Sequence, residues 1–518
     1  MSWQPEIDEL RRREELARGM GGPDKVARQH AAGRLTVRER IAALLDGGAL
    51  EELGVLAGRA TYAADGSLEA FRPANFVLGT GAVEGRRVVV GGDDFTVRGG
   101  AADAAIHRKQ VYAEMLAGEL RVPLVRLVDG TGGGGSVRSI EDMGHTYCPI
   151  LPGWDHVVAN LGRIPVVALC LGPVAGLGAA RVAAAHLAVM VRGTSQLFVA
   201  GPAVVQRGVG EALDKEALGG VAVQEGSGAV DLVVDTEAEA FAAARRFLSY
   251  LPQNVWIAPP CNPCDDDPER RDEWLLSAVP RDRRQPYDMR RVLAAVMDGG
   301  SVFEMAPGFG GSVITCLARL AGHPVGVVAF DPYVYGGGLT AEASDKLARF
   351  VDLCDTFHLP LVKLVDQPGF VLGVQSERKG TIRRGVRAVA AIHQARVPSV
   401  AVVLRRVYGV GGAGLWDGAG LNLRYAWPSA DWGSLPLEGG VEAAYRAELE
   451  ASPDPAALLD DITARLDAVR SPMRTAEHFG VEAIIDPRET RAVLCRWVRD
   501  AYAVVPQILG PSARGMRP

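Results

Sequence analysis

The segments "RVPLVRLVDG" at 121–130 and "HLPLVKLVDQ" at 358–367 share Pro, Leu, Val, Leu, Val and Asp in one register, 237 residues apart. The same offset relates further pairs upstream: Gly85 and Gly322, Asp94 and Asp331, Gly99 and Gly336, and Gly100 and Gly337. Downstream, "GRIPVVALCLGPVAGLGAA" (162–180) resembles "ARVPSVAVVLRRVYGVGGAGL" (395–415) at nearly the same offset. One register held over this distance predicts a tandem duplication.

Each copy alternates short apolar runs with longer segments of helical periodicity. "RRVVVGG" (86–92), "VPLVRLV" (122–128) and "IPVVALCL" (164–171) are β-branched and bounded by Gly or Pro, which is typical of buried parallel strands. Residues 101–120 and 340–357 carry apolar side chains at helical spacing and have the length of crossover helices. We therefore expect two α/β domains built from βαβ units, in which ligands meet the ends of the strands.

The segment 259–286 is rich in proline and charge and lacks strand character. We place the boundary there, which gives an N-terminal domain at 1–260 and a C-terminal domain at 261–518. The length of 518 residues fits roughly two to four domains of ordinary size.

Composition narrows the function classes. The chain is 48% hydrophobic and 23% charged, as expected of a globular protein, and its formal charge of −6 argues against nucleic acid as a partner. It contains no uninterrupted apolar stretch long enough for a membrane span. Its first residues are charged and lack an apolar signal core, which points to the cytoplasm.

Seven cysteines are scattered along the chain, and the C-x-x-C of Cys261 and Cys264 has no second pair at zinc spacing. Two reduced thiols are a better interpretation than a metal site, so we expect no metal in this chain.

Glycine clusters follow strand ends in both copies. They are "DGTGGGG" (129–135) and "GPVAGLGAA" (172–180) in the first, and "DQPGF" (366–370) and "YGVGGAG" (408–414) in the second. A phosphate loop would need a Lys that is missing, and a dinucleotide fingerprint matches only because one cluster is almost all glycine. Tight turns alone explain poorly why both copies keep clusters at corresponding strand ends. Oxyanion holes, in which bare backbone N–H groups bind an oxygen that gains charge, account for them best.

Side chains for general-base or nucleophilic catalysis are not evident. The sequence holds no G-x-S-x-G or H-E-x-x-H motif, and its nine histidines do not cluster. His145 and His358 flank strand ends, but a lone histidine is more often structural. We infer that a catalytic base arrives with a cofactor.

Several longer motifs together resemble one family. They are "QHAAGRLTVRERIAALLDGGALEELG" (29–54), "DDFTVRGGA" (93–101), "YDMRRVLAAVMDGGSVFE" (287–304), "LVDQPGFVLGVQSERKGTIRRG" (364–385) and "YAWPSADWGSLPLEGGVEAA" (425–444). The chain closely resembles the carboxyltransferase (β) subunits of biotin-dependent acyl-CoA carboxylases. This resemblance implies two crotonase-like domains, in agreement with the duplication.

The resemblance also implies a reaction. Such enzymes move a carboxyl group from carboxybiotin to the α-carbon of an acyl-CoA, and two enolates form that are held by one backbone hole in each domain. The implied catalytic residues are Gly132, Gly133 and Gly134 in the first half and Gly412 and Ala413 in the second. The implied substrate- and cofactor-binding residues are Gly176, Gly178, Gly414, Leu415 and Phe370. The first domain is expected on the acyl-CoA side and the second on the biotin side, with the assignment of each hole left open.

Departures from the family pattern affect specificity. Gly414 and Leu415 replace a Tyr-Asp pair, which predicts a roomier and more apolar acyl pocket than in the propionyl enzymes. No biotin-attachment lysine and no ATP-binding region are evident, so biotin, biotin carboxylase and the biotin carboxyl carrier are expected on a partner subunit. The resemblance implies a homohexamer, a trimer of dimers. Decarboxylation or transcarboxylation of a malonyl-type thioester, and an inactive scaffold, remain alternatives.

Overall fold

The computed structural model describes residues 2–101, 104–130, 140–141, 143–146, 148, 150–416, 418 and 420–517. Gly132, Gly133 and Gly134 therefore lie outside the described residues. The chain divides into two compact units, the first up to Trp256 and again from Pro511, the second Ile257–Gly510.

The first unit contains a mixed sheet with helices around it. Its described strands are β1 Glu51–Glu52, β2 Gly58–Tyr62, β3 Leu68–Pro73, β4 Phe76–Val83, β5 Arg86–Asp93, β6 Leu124–Val128, β7 Val166–Cys170, β8 Pro173–Ala175, β9 Leu187–Val191, β10 Gln196–Phe198 and β11 Leu232–Val234. Its described helices are α1 Gln4–Arg18, α2 Pro23–Ala31, α3 Val37–Leu44, α4 His107–Leu120, α5 Trp154–Asn160, α6 Leu177–Ala183, α7 Pro202–Val209, α8 Lys215–Gly219, α9 Val221–Ser227 and α10 Glu237–Tyr250.

The second unit repeats this plan. Its described strands are β12 Phe303–Met305, β13 Val313–Leu320, β14 His323–Phe330, β15 Leu361–Gln367, β16 Ser399–Tyr408, β17 Asn422–Ala426, β18 Asp431–Gly433 and β19 Ala483–Ile484. Its described helices are α11 Met289–Val296, α12 Ala341–Thr356, α13 Val374–Arg378, α14 Thr381–Gln394, α15 Gly409–Trp416, α16 Leu437–Ala444, α17 Arg446–Ala451, α18 Pro455–Asp467, α19 Pro472–Glu477 and α20 Thr490–Val504.

The two main sheets share one topology. Strand order is β1-β4-β5-β6-β7-β9-β11 in the first unit and β12-β13-β14-β15-β16-β17-β19 in the second, where β18 also pairs with β16. The first three strands of each sheet are antiparallel, and from β5 and β14 onward the neighbours are parallel. The three predicted strands of the first copy correspond to β5, β6 and β7, and the predicted crossover helices to α4 and α12. The α/β prediction is confirmed.

Backbone conformation repeats with the sequence offset. Residues with left-handed φ recur 237 apart: Glu84 and Ala321 (49° and 48°), Gly85 and Gly322 (75° and 81°), Arg98 and Tyr335 (58° and 49°), Gly99 and Gly336 (both 61°), and Arg121 and His358 (53° and 59°). Left-handed φ is uncommon outside glycine, so Arg98 and Tyr335 at the same point of the turn after β5 and β14 are a specific match. The duplication predicted from the sequence extends to individual dihedral angles.

A second offset appears upstream of these turns. Asp46 accepts hydrogen bonds from the backbone N–H groups of Glu84 and Gly85 at 3.0 and 2.8 Å. Asp298 makes the same two bonds to Ala321 and Gly322, also at 3.0 and 2.8 Å. These two aspartates are 252 residues apart, so the duplication includes the helix and first strand that precede each hairpin.

The change of offset has a structural cause. In the first unit, the antiparallel hairpin of β2 and β3 lies between β1 and β4. At the corresponding place of the second unit, residues 306–312 form only turns and bends. The first unit therefore carries, on a shared frame, a hairpin that has no counterpart in the second unit.

Residues 257–286 do not form a free linker but pack on the second unit. Leu275 is buried in its core with Val292 and Trp497, and Asn262 donates its backbone N–H to Gly322 O at 3.1 Å. Cys261 and Cys264 in this segment are exposed free thiols. Within the described ranges, no group of three or more His, Cys, Asp or Glu side chains is placed to hold a metal ion. No helix in the same ranges is long and apolar enough to cross a membrane.

Candidate functional site

The carboxyl ends of the parallel strands bring three backbone segments together in each unit. In the first unit these are the turn Arg98–Gly100 after β5, the end of β6, and the start of α6. In the second they are the turn Tyr335–Gly337 after β14, the end of β15, and the start of α15. Ligands of open α/β sheets bind at this edge, which makes it the candidate site in both units.

The turn and the strand end are in close backbone contact. A Cβ on Gly100 would lie 2.8 Å from Asp129 O, and a Cβ on Gly337 would lie 2.6 Å from Asp366 O. Both glycines also have positive φ, 68° and 85°. Glycine is required at these two positions because no side chain fits between the turn and the strand.

Gly176 and Gly178 open helix α6. Gly176 is its N-cap residue with φ 61° and ψ −122°, a conformation that side chains rarely adopt. Gly178 is buried in the first turn. The start of α15 has the same character, since Gly409 has φ 62°.

Gly412, Ala413, Gly414 and Leu415 lie inside helix α15 rather than in a loop. Ala413 is exposed, whereas Gly412, Gly414 and Leu415 are buried. A Cβ on Gly412 would lie 2.9 Å from Val407 Cγ1, and a Cβ on Gly414 would lie 2.7 Å from Val389 Cγ2. These two glycines let α15 approach its neighbours closely.

Phe370 lies in the segment that follows β15. It forms a parallel bridge with Leu339, and Leu339 donates its backbone N–H to Gly369 O at 3.0 Å. Its ring faces Gly385 of α14, where an added Cβ would lie 2.3 Å from Phe370 Cε1. Phe370 is thus fixed beside the site by close packing.

Buried ion pairs at the strand ends were missed by the sequence interpretation. Asp129, at the end of β6, accepts from Arg34 at 3.2 Å and from Arg40 at 2.8 Å. Asp366, its equivalent at the end of β15, accepts from Arg405 and Arg406. The signal available in the sequence was the aspartate repeated in "LVDG" and "LVDQ".

Arg40 connects several elements of the first unit. It donates to Asp129 Oδ2 at 2.8 Å, to Leu171 O at 2.8 Å and to Glu237 Oε1 at 2.7 Å. Burial opposes its charge, but the hydrogen bonds and charges of Glu237 and Asp129 outweigh burial and raise the pKa of Arg40.

Asp93, the last residue of β5, is a second buried acid at this edge. Its Oδ2 accepts the backbone N–H of Asp129 at 3.1 Å. Burial raises the pKa of Asp93 to about 7, against the opposing effects of that N–H and of Arg181. The Asp93 carboxyl group, which helps to hold the end of β6, therefore has a pKa near neutral pH.

A basic pocket of about 670 Å³ adjoins the turn Arg98–Gly100. Its cationic lining residues are Lys25, Arg28, Arg34, Arg72 and Arg98. Among the described lining residues there is no Asp or Glu, and Arg34 lies over the Phe95 ring at 4.7 Å. The pocket is suited to a ligand that combines several negative charges with a planar group.

A second pocket, of about 340 Å³, adjoins the equivalent turn of the second unit. Its lining includes Tyr335, Leu372 and the first residues of α12. The charged lining residues are Glu342 and Lys379, which pair at 2.7 Å. Ser312 also lines it, and its buried Oγ has no hydrogen-bond partner among the described residues. The pocket is thus close to neutral.

The fold is a duplicated crotonase-like fold, and its candidate sites lie at two equivalent strand edges. These two features are typical of one class of enzyme, the carboxyltransferases. The model of the carboxyl transferase domain family matches residues 28–502. The chain belongs to this family, and it is a carboxyltransferase of the acyl-CoA carboxylase type. The family resemblance and the fold class expected from the sequence are confirmed.

Individual relatives agree along nearly the whole chain. The carboxyltransferase subunit of propionyl-CoA carboxylase from Haloferax mediterranei is 35% identical over 95% of each chain. Methylmalonyl-CoA decarboxylase subunit alpha from Veillonella parvula is 32% identical over 94% of each. The crystal structure of the transcarboxylase 12S hexamer, with methylmalonyl-CoA and methylmalonic acid bound, superposes with a TM-score of 0.86 at 31% identity, covering 97% of this chain and 96% of that one.

Proposed function

We propose that this chain transfers a carboxyl group between carboxybiotin on a partner's carrier domain and the α-carbon of an acyl-CoA. The observation that supports the acyl-CoA half most directly is the basic pocket beside Arg98. Coenzyme A carries phosphate groups and an adenine ring, and this pocket is lined by five cationic side chains and two aromatic ones. Its place next to the turn Arg98–Gly100 lets the thioester end reach the strand edge of the first unit.

The nearly neutral pocket of the second unit fits biotin, which carries little charge. Leu372 and Val371 in its lining are suited to contact the apolar chain of biotin. When bound, carboxybiotin supplies the carboxyl group and, once it has given that group up, a ureido nitrogen able to accept the α-proton. The amides at the start of α15 and those of Tyr335 and Gly336 in the preceding turn are the proposed donors to the ureido oxygen. In the first unit, Gly132–Gly134 and Gly178 are the proposed donors to the thioester oxygen. Gly176, whose amide donates to Phe198 O at 3.3 Å, is the proposed binding residue that shapes the start of α6.

Gly412, Ala413, Gly414 and Leu415 remain proposed site residues, as does Phe370. Gly412 and Gly414 let α15 pack closely on Val407 and Val389, which positions the amides at its start. Because Gly414 and Leu415 stand where the propionyl enzymes carry a ring and a carboxylate, we propose an acyl pocket that accepts chains longer than propionyl.

The proposed partner is a subunit that holds biotin carboxylase and the biotin carboxyl carrier, and the proposed assembly is a homohexamer. Large apolar side chains stand exposed around the site of the second unit, at 89% for Leu372, 66% for Val374 and 65% for Val410. Exposed apolar side chains of this size are suited to burial against another subunit. Sedimentation at six times the 54.9 kDa chain mass tests the assembly. The proposed location is the cytoplasm, where CoA thioesters are made and used.

Carboxyl transfer is tested with the full chain, carboxylated biotin carrier and a panel of acyl-CoA substrates from acetyl to long-chain. We expect label to move from carrier to thioester, with the fastest transfer to an acyl group longer than propionyl. If no acyl-CoA acquires label, the proposed function is wrong. If label moves but propionyl-CoA is preferred, only the proposed chain length is wrong.

A second candidate is decarboxylation of a malonyl-type thioester, favoured by the 32% identity to the Veillonella parvula decarboxylase subunit. It keeps the same site and reverses the direction of transfer. Release of CO2 from methylmalonyl-CoA that needs biotin carrier but no ATP would favour this candidate over carboxylation.

A further inference from the structure

Arg406 joins all three backbone segments at the site of the second unit. Its Nε donates to Asp366 Oδ1 at 2.7 Å, at the end of β15. Its Nη2 donates to Gly336 O at 2.7 Å, in the turn after β14. Arg406 itself lies in β16, three residues before α15 begins at Gly409.

We propose that Arg406 is a positioning residue for carboxyl transfer. It fixes the distance between the amides of Tyr335 and Gly336 in the turn and those at the start of α15. This inference rests on the proposed function, in which these two sets of amides bind one developing negative charge.

The distance between these amides matters because an oxyanion hole works only when its donors point at one atom. Such constellations must be held to within about 0.5 Å. Both segments are too short for their own backbone hydrogen bonds to fix the positions of their amides. The turn has left-handed φ at Tyr335, Gly336 and Gly337, and α15 is a two-turn helix rich in glycine. A planar guanidinium that donates to both neighbours supplies the missing rigidity.

The adjacent Arg405 binds the same carboxylate but serves another part of the chain. It donates to Asp366 Oδ2 at 3.0 Å, while its Nη1 donates to Arg283 O at 3.2 Å and to Gln285 O at 2.8 Å. Those carbonyls belong to the segment before α11, away from the turn and from α15. Arg405 therefore stabilises the unit without joining the amide-bearing segments, and it is a natural control.

Among the contacts of the described residues, the first unit does not repeat this arrangement. The arginines on Asp129 come from residues 34 and 40, before β1, and not from β7. Arg406 donates to the turn of its own unit, whereas Arg40 donates to Leu171 O and Glu237. The proposed role is accordingly specific to the site of the second unit.

The test compares Arg406→Lys with Arg405→Lys in the full chain. Lysine keeps the charge but cannot donate to Asp366 and Gly336 in one plane. The assay follows the transfer of label from methylmalonyl-CoA to free biotin. Melting temperature and hydrogen exchange at residues 335–338 and 409–412 are measured on the same proteins.

For Arg406→Lys we expect kcat to fall about 10- to 100-fold, because a misplacement of about 1 Å reduces the rate by up to about that factor. KM for methylmalonyl-CoA should change less than about twofold, and exchange in both segments should accelerate.

For Arg405→Lys we expect the reverse pattern, with a lower melting temperature, unchanged exchange in the two segments and a loss of kcat below about threefold. Equal kcat losses in the two variants, or normal kcat in Arg406→Lys, would overturn the inference while leaving the proposed function intact. A wild-type chain that transfers no label from methylmalonyl-CoA or from its longer-chain analogues, with either free biotin or a biotin carrier, would contradict the proposed function itself. Unchanged exchange in Arg406→Lys would contradict the positioning role whatever the activity.

Discussion

Arg40 Nη1 lies 2.8 Å from Asp129 Oδ2, and their side chains are only 1% and 0% exposed. This buried pair holds the end of β6 against α3, so that removing one partner leaves an uncompensated charge in the core. We expect Arg40→Met to lower the free energy of unfolding by about 3–5 kcal/mol, measured by urea denaturation. The control is Arg192→Met, which breaks the exposed pair with Asp235 and should cost less than about 1 kcal/mol. Equal losses in the two variants would contradict this role of Arg40.

The raised pKa of Asp93 predicts a pH-dependent effect on stability. Asp93 keeps its proton up to about pH 7 in the folded chain, whereas an unfolded aspartate loses it near about pH 4. Between these values the folded state binds the extra proton, so the contribution of Asp93 to stability falls as pH rises through this window. Asp93→Asn stays neutral and can still accept the N–H of Asp129. Its free energy of unfolding relative to wild type should therefore be higher at pH 8 than at pH 5, and parallel profiles would refute the assignment.

Charge in the basic pocket predicts how the chain binds coenzyme A. Arg28→Glu replaces one of five cations and should raise the Kd of coenzyme A at least about tenfold at low salt, measured by calorimetry. The effect should shrink at high salt, because exposed charges are screened. Arg496→Glu makes the same charge change at an exposed site of the second unit and should leave the Kd within about twofold. A Kd that Arg28→Glu does not move would place the coenzyme elsewhere.

Close packing of α15 predicts a rescue. Gly414→Ala should lower the free energy of unfolding by about 1–3 kcal/mol, because its Cβ would lie 2.7 Å from Val389 Cγ2. Val389→Ala removes that methyl group, so the double variant should be more stable than the sum of the single changes predicts. Chemical denaturation of the four proteins of this cycle measures the coupling, and strict additivity would show that the contact is not the cause.

For Gly412→Ala, we expect a loss of stability that a second substitution does not restore. Its Cβ would meet Val407 Cγ1 at 2.9 Å but also the backbone carbon of Val407 at 3.0 Å. Trimming Val407 to alanine cannot move the backbone. The loss in Gly412→Ala should therefore persist in the double variant, and full recovery would show that the side chain alone was limiting.

Sequence periodicity was sufficient to predict the strands, the crossover helices and the duplication. The alternation of apolar residues and the spacing of the repeat are visible in the sequence itself, so they can be recognised without knowing the tertiary contacts. The 252-residue offset was also readable, since "LLDGGALEE" at 44–52 parallels "VMDGGSVFE" at 296–304. This offset differs from the 237-residue offset because the β2–β3 hairpin lengthens the first unit between the two places.

The structural role of each individual glycine could not be predicted from the sequence. A cluster such as "YGVGGAG" is equally compatible with amides open to a ligand and with a helix pressed against its neighbours. Gly412 and Gly414 show the second case, because Val407 and Val389 occupy the space of their missing side chains. Arg40 and Asp129 are 89 residues apart, and only the folded chain shows that they meet.

The β2–β3 hairpin makes the two units differ without changing the frame that they share. Both units keep their aspartate-bonded turns and the same strand order on either side of this place. The hairpin contributes Phe71, Arg72 and Pro73 to the basic pocket. An element outside the main sheet thus gives one unit a charged binding surface while the strands beneath it stay alike.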